Sequence, residues 1–499
     1  MTSRYLGAGG RLTGGPAREL VDAGYAAEVA HGPLLARGLS LADLAHAVAL
    51  AEAGEISADR AGALISGLLE LHAVPGDQFP WEAELGDAFN SREHVLTDRV
   101  GPDAAGWLSA GRPRREAFRV ALRLNARWQA RGLHDAILDF ARAMLGHAER
   151  LAHELAADYT YLQPAQPTTV GHLLLSYVHP ALRDAARLRR IHGTLDLSVA
   201  GAGGSAGSRW ALDRSRLAEL LGCSDLVPHV RDAMWQTDVY VELLSAVAIA
   251  ATHQSQMAQD FEILASQEFA VVSLADRHSR ASALMPQKRN PYALAVIREA
   301  AGAAAGDVAA TLTTLHTGSA RTDHFHGLNG VVPRRLHHAT AVARLAAEVV
   351  EGMAIDAERL AEAARAGFTV AADVADVLAK SAGLDYRRAH KLLGLVVRRR
   401  SDKGLPLDEI SSQEIAAVAA EQLKMEIDVD PGALAAALDP AACAAERLQE
   451  GSSAPDQVDR LLAESSSTLA EAGEWSNRER ARLESAEQAL LTAAKRLSA

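Results

Sequence analysis

Cysteine is nearly absent. Cys223 and Cys443 are the only two in 499 residues, which excludes a disulfide framework and any four-thiolate zinc site. Aromatic residues are scarce, at 4%. The longest apolar stretch worth weighing, Leu243–Thr252, is flanked by Glu242 and His253 and is about half the ~20 residues of a membrane span. Residues 1–16 hold Arg4, Arg11 and several glycines but no apolar run. No secretory signal is expected there, and a cytoplasmic location is. Positive charge is in deficit: 51 Lys and Arg face 63 Asp and Glu, a net charge of −12. That argues against a nucleic-acid-binding role. A Walker phosphate loop, a Gly-x-Ser-x-Gly elbow and a His-Glu-x-x-His zinc motif are all missing, which removes three common routes to catalysis.

What is present favours a large helical protein. Hydrophobic residues reach 48% and charged residues 23%, enough for a core and ordinary for a folded chain. Ala, Leu, Arg and Glu dominate, and all are good helix formers. Strand-like alternation is not convincing anywhere, so the fold class expected is all-α. At roughly 150 residues per domain, three domains are expected. They are read as an N-terminal helical domain over 1–110, a central long-helix bundle over 111–365 and a small helical C-terminal domain over 366–499 with a helical tail.

Local signals fill in that outline. Ser40-Leu41-Ala42-Asp43 and Ser57-Ala58-Asp59 read as helix starts. Pro113 opens a run with Phe118, Leu122, Trp128, Leu133, Ile137, Phe140 and Leu145 at helical spacing, which Gly132 threatens to interrupt. Residues 232–269 contain no Pro or Gly. One continuous helix there would be about 55 Å long and apolar on several sides, as in a bundle core or subunit interface. A further Ala-rich helix is expected from Pro291 to His316. Shorter ones are expected over Val374–Lys380, Tyr386–Arg399 and Ser412–Gln422. The tail after Ser465 reads as a solvated helix.

Two segments look chemical. The run Gly201-Ala202-Gly203-Gly204-Ser205-Ala206-Gly207-Ser208 is either a set of backbone amides that binds a carboxylate or a flexible turn between helices. No strand precedes it and no Lys-Ser/Thr follows, which speaks against phosphate. The run Ser279-Arg280-Ala281-Ser282-Ala283-Leu284-Met285-Pro286-Gln287-Lys288-Arg289-Asn290-Pro291 is small and polar, then basic, then helical. It brings a hydroxyl, an ammonium and an amide to one loop. Those groups suit an anionic substrate: Lys288 for charge, Asn290 for hydrogen bonds, Ser282 as a proton acceptor if ionised.

That second run resembles the signature loop of the aspartase/fumarase superfamily, Gly-Ser-Ser-x-Met-Pro-x-Lys-x-Asn. It matches the first Ser, Met, Pro, Lys and Asn in register, with Ala281 and Ala283 for the Gly and second Ser. Thr160-Tyr161-Leu162-Gln163-Pro164-Ala165-Gln166-Pro167 with Gly171-His172 is similar to a Thr-His-Leu-Gln-x-Ala-Gln-Pro segment of argininosuccinate lyases. Ala110-Gly111-Arg112-Pro113-Arg114-Arg115-Glu116 is similar to their Thr-Gly-Arg-Ser-Arg-Asn-Asp. Gly201–Arg214, Ala437–Pro440 and Gly451–Pro455 extend the likeness over residues 25–460.

The resemblance implies a homotetramer of three-domain subunits with active sites shared between three chains. It also implies fumarate release by β-elimination, without metal or organic cofactor. Ser282 takes the role of base, its alkoxide stabilised by Lys288 and loop amides. Arg112, Arg114, Arg115, Thr160, Gln163, Asn290 and His324 take substrate-binding positions, and His172 is a wall residue. Two departures stand out. Tyr161 replaces the His that helps protonate the leaving nitrogen, and Ala295, seven residues past Lys288, replaces its Glu partner. Tyr161, His31 and His324 are candidates for a relocated acid. Glu28 falls at a substrate-binding Ser position, and Thr314–Leu328 lacks the Tyr and Lys that help bind the arginine end.

The leading expectation is a carbon–nitrogen lyase acting on an N-substituted aspartate other than, or not only, argininosuccinate, and reversible as amine addition to fumarate. An argininosuccinate lyase with an altered acid, a cycloisomerase and a catalytically silent tetrameric scaffold are the alternatives. The partner expected is a small dicarboxylate or amine, with neither nucleic acid nor membrane.

Overall fold

The computed structural model describes residues 14–316, 318, 321 and 323–499, the side chains of Asp323 and His324 excepted. Helices hold 70% of the residues and strands 5%, so the all-α expectation holds.

The N-terminal part contributes α1 (Gly32–Glu52), α2 (Ala58–His72) and α3 (Ala88–Val100). α1 starts eight residues before the Ser40 signal, because Pro33 occupies its first turn, where a missing N–H costs nothing. Ser40 is buried instead, with its hydroxyl on His72 Nδ1 at 3.1 Å. α1 is long and apolar enough to cross a membrane, yet 78% of its apolar window is buried inside the protein, as for a core helix. α2 begins right after Ser57, as expected. Asp87 caps α3 by accepting Asn90 N–H at 2.9 Å.

The centre is a bundle of five long helices: α4 (Arg114–Arg150), α5 (Val170–Leu195), α6 (Asp238–Leu264), α7 (Tyr292–Thr314) and α8 (Asp323–Gly352). α4 runs through Gly132 without interruption. Residues 232–269 are not one helix. The chain breaks at Gln236, whose ψ of 144° is extended, between Val230–Trp235 and α6. No Pro or Gly marks that break.

The bundle has a clear polarity. Arg119 Nε donates to Met234 O at 3.0 Å and its guanidinium stacks on Phe325, so α6 and α8 begin beside the start of α4. His147 Nε2 lies 2.8 Å from Val350 O, so α4 and α8 also end together. α5 returns antiparallel, with Arg123 donating to Thr194 O.

Between α4 and α5 the chain forms a hairpin of β1 (Leu155–Thr160) and β2 (Gln163–Thr169), paired antiparallel from Leu155↔Thr169 to Thr160↔Gln163. β2 carries no strand signature in its sequence, because Pro164 and Pro167 lie within it and proline normally argues against a strand.

Two apolar cores result. The first joins α1–α8 and the last helix, α9 (Pro455–Leu497). The second gathers Val374, Leu378, Leu392, Val396, Ile415 and Leu434 from the short helices between residues 371 and 437. α9 is not a solvated tail. Leu462, Leu469, Ser476, Leu483 and Leu490 recur every seventh residue and are all buried against the bundle.

Candidate active site

The loop between α6 and α7 is closed by a short ladder, β3 (Arg280–Ala281) with β4 (Arg289–Asn290). Asn290 Nδ2 donates to Arg280 O at 2.9 Å and braces it. At the tip, Ser282 Oγ accepts two backbone N–H groups, from Leu284 at 3.3 Å and Met285 at 3.1 Å. Donors aimed at one oxygen favour its anionic form. Lys288 is exposed on the same loop, its N–H closing a turn on Met285 O at 3.0 Å. It is also the first lysine of the chain, and the next is Lys380. Leu284 is 85% exposed, an apolar side chain with nothing over it in a single chain.

The hairpin turn carries Thr160, Tyr161, Leu162 and Gln163, all exposed. Tyr161 and Leu162 both have positive φ, 53° and 59°. A two-residue turn of this hand normally uses Asn-Gly, since each side chain there costs about 1 kcal/mol or more. Tyr161 projects outward at 99% exposure. A cavity of about 590 Å³ lies behind it, lined by Tyr159, Tyr177, Phe261 and Phe269 among others.

The arginines lie elsewhere. Arg114, the first residue of α4, pairs with Asp87 at 3.2 Å. Burial pushes the Asp87 carboxyl up, and Arg114 opposes that shift. Arg115 pairs with Glu28 Oε2 at 3.2 Å, and Glu28 Oε1 lies 3.6 Å from His326 Nδ1. His31 stands beside them, with its pKa lowered by burial and then by Arg334. His324 lies in the first turn of α8, and its side chain is outside the described residues.

Within one chain these groups form two sets. α4 spans 37 residues, about 55 Å at 1.5 Å per residue. Arg114, Arg115, Glu28 and His326 sit at its start. The Thr160–Gln163 turn follows its end, and Tyr159 meets Phe269 there edge-on at 6.0 Å between centroids. Ser282, Lys288 and Asn290 belong to that same end, between α6 and α7. No single chain brings Arg114 to Tyr161.

Arg112 departs from its expected substrate-facing role. It is 4% exposed, and its guanidinium grips Asp43 Oδ1 at 2.7 Å and Ala42 O at 3.1 Å. Asp43 is 0% exposed and also takes Arg92 at 3.0 Å. His172 is half-buried and lies between Thr168 Oγ and Gly451 O. The glycine run does bind a carboxylate, but the protein's own: Glu116 accepts Gly201 N–H at 2.6 Å and Gly203 N–H at 2.8 Å. Burial raises the Glu116 pKa, and Arg112 and the two amides hold it down. The Glu28–His326 contact and the Arg334–His31 contact were not legible beforehand, because no spacing links residues 300 apart.

Comparison with known proteins agrees with this architecture. Residues 35–306 match the lyase family, and residues 368–445 match the argininosuccinate lyase C-terminal family. Argininosuccinate lyase of Methanoculleus marisnigri is 32% identical over 471 residues, covering 93% of this chain and 94% of that one. The Halobacterium salinarum enzyme is 33% identical over 461 residues, covering 91% and 90%. Among solved structures, an EDDS lyase variant with bound fumarate superimposes with a TM-score of 0.86, at 25% identity and 97% coverage of each chain. A 3-carboxy-cis,cis-muconate lactonizing enzyme from Pseudomonas putida shares the fold, with a TM-score of 0.68, 22% identity and coverage of 87% and 95%. The chain thus belongs to the argininosuccinate lyase-like branch of the aspartase/fumarase superfamily.

Proposed function

We propose that this carbon–nitrogen lyase releases fumarate from an N-substituted aspartate whose amine half is not, or not only, arginine. Ser282 carries the reading. Its oxygen already receives two amide hydrogen bonds on an exposed loop, and Lys288 adds a cation nearby in sequence. Ionised, Ser282 takes the proton from the carbon next to a carboxylate. The electron pair moves into that carboxylate as an aci-carboxylate, which Lys288 and Asn290 stabilise more than the substrate. The pair then returns, the C–N bond breaks, and fumarate forms. The departing amine takes a proton from the Tyr161 phenol, which stands where argininosuccinate lyases carry a His. Thr160, Gln163, Arg114 and Arg115 hold the dicarboxylate.

The length of α4, about 55 Å, lies between the two residue sets and supports a site built from more than one chain, in a homotetramer as in the superfamily. The exposed Leu284, Leu162 and Tyr161 suit burial by a neighbouring subunit. Loss of the His/Glu pair, together with likeness to EDDS lyase, favours a diamine-type amine. Retention of the family's C-terminal region keeps argininosuccinate as the second reading.

The test is fumarate absorbance with purified protein. Fumarate is mixed with arginine, diamines, hydrazine or hydroxylamine, and argininosuccinate is supplied for the forward reaction. Consumption with a non-arginine amine, lost in Ser282→Ala, is the expected result. Turnover of argininosuccinate alone returns the protein to the second reading. Silence throughout, or activity surviving in Ser282→Ala, overturns the proposal.

A further inference from the structure

The cavity behind the β1–β2 turn is walled by two edge-on aromatic pairs. Tyr159 meets Phe269 at 6.0 Å between centroids, and Tyr177 meets Phe261 at 5.5 Å. Aliphatic side chains such as Leu173, Leu264 and Val271 share the wall. Its volume, about 590 Å³, is that of an ordinary small-molecule pocket.

The charge of this wall is one-sided. Asp158 and Asp260 line it, and no Lys, Arg or His does. Two cavities of similar volume, about 650 and 630 Å³, do carry cations, Arg187 and Arg190 in one and Arg365 in the other. Among the described residues neither carboxylate is in an ion pair. Asp260 Oδ2 accepts the Tyr177 O–H at 2.8 Å, and Asp158 Oδ1 accepts the Tyr159 N–H at 2.8 Å. The second oxygen of each keeps its acceptor capacity. Burial raises the Tyr177 pKa, and the charges of Asp260 and then Asp158 add to the rise, so both carboxylates act on one phenol. Ring faces are negative, and the carboxylates carry full charge. Both attract a cation whose apolar body displaces water from the rings. A dicarboxylate meets only repulsion there.

We propose that this cavity binds an organic cation, an ammonium on an apolar body, at a site separate from that of fumarate, and that the occupant acts on the Tyr161 turn. Tyr161 and Leu162 belong to the same wall, yet stand 99% and 56% exposed. An occupant gives both side chains an apolar surface to cover, which draws the phenol in from solvent. Binding goes beyond the lyase reading and does not need it; only the effect on turnover rests on that reading.

The probe is benzyltrimethylammonium, which has neither N–H nor lone pair and so cannot add to fumarate. Dimethylbenzylcarbinol is its neutral isostere, and phenylacetate is the anion. In calorimetric titration of the intact protein, the cation is expected to bind about tenfold tighter than the alcohol, with the anion weakest. Saturating succinate should leave the cation's affinity unchanged. The double variant Asp158→Asn with Asp260→Asn keeps the oxygens that accept from Tyr159 and Tyr177. It should erase the cation's advantage and leave the alcohol's affinity as it was, which also shows that the cavity is intact. No binding of the cation, an affinity equal to the alcohol's, an advantage that survives in the double variant, or displacement by succinate overturns the site. In the fumarate assay, saturating cation is expected to lower kcat and leave the fumarate KM. A raised fumarate KM overturns the separate site, and an unchanged kcat overturns the coupling to Tyr161. Cation binding without turnover of any amine sinks the lyase reading and leaves the site.

Discussion

Replacing Glu116 should loosen the glycine run that it holds. In Glu116→Ala, the N–H groups of Gly201 and Gly203 lose their acceptors at 2.6 and 2.8 Å. An unmet buried donor costs about 1–3 kcal/mol. Both glycines are only partly covered, which puts the pair in the lower half of that range, about 2–4 kcal/mol in all. Gln keeps one acceptor oxygen and removes a buried charge, whose burial already raises the Glu116 pKa. Its cost should be smaller, about 1 kcal/mol, from the one amide that then faces an NH₂ group. The assay is urea denaturation at a fixed protein concentration, because any assembly makes the midpoint concentration-dependent. The order expected is wild type, then Gln, then Ala, with equal slopes. An Ala variant within 0.5 kcal/mol of wild type (about the scatter of an uninvolved surface site) refutes the clamp. A Gln variant as damaged as Ala refutes the separation of charge from acceptor.

Asp43→Asn strips the counter-charge from buried Arg92 and Arg112 and should destabilise by about 3–5 kcal/mol; an unchanged denaturation midpoint would contradict the triad. Leu162→Gly relieves one positive-φ side chain and should stabilise by about 1 kcal/mol, read as a raised Tm; a lowered Tm counts against strain in the turn. His192, on α5 against Trp475 of α9, has its pKa lowered to about 4 chiefly by burial. The unfolded chain therefore binds this proton first as pH falls. The contribution is whole above the ordinary 6.5 and declines between 6.5 and about 4, by up to about 3 kcal/mol. Urea midpoints across that window should fall less steeply in His192→Gln, and identical slopes would argue against it.

Much of the fold was readable from residue type. The Ala- and Leu-rich runs became α4 to α8 because each carries apolar residues on enough faces to be buried. Three features escaped for separate reasons. The β1–β2 hairpin is turned by Tyr161 and Leu162, which are not turn formers, so only tertiary context explains it. The break at Gln236 has no breaker residue. The docking of α9 was signalled by the seven-residue recurrence of Leu462, Leu469, Leu483 and Leu490, but the charge around it masked that seam. At the candidate site, the Ser282 loop was visible because its residues are contiguous. The pairings of Glu28 with Arg115 and of His31 with Arg334 join distant segments, and spacing along the chain holds no trace of them. Arg112 was misleading because a motif position does not tell which way a guanidinium points.

The scarcity of lysine gives the loop a chemical address. Six lysines serve 499 residues, and Lys380, Lys391, Lys403 and Lys424 all lie between residues 371 and 437, the stretch that holds the second core. On the first core only Lys288 and the distant Lys495 carry an ε-amine. An acylating probe therefore marks the Ser282 loop at a single lysine, told apart from the other five by its peptide. Peptide mapping of that one modification would report whether a ligand or a neighbouring chain shields the loop, without any need to engineer a tag into it.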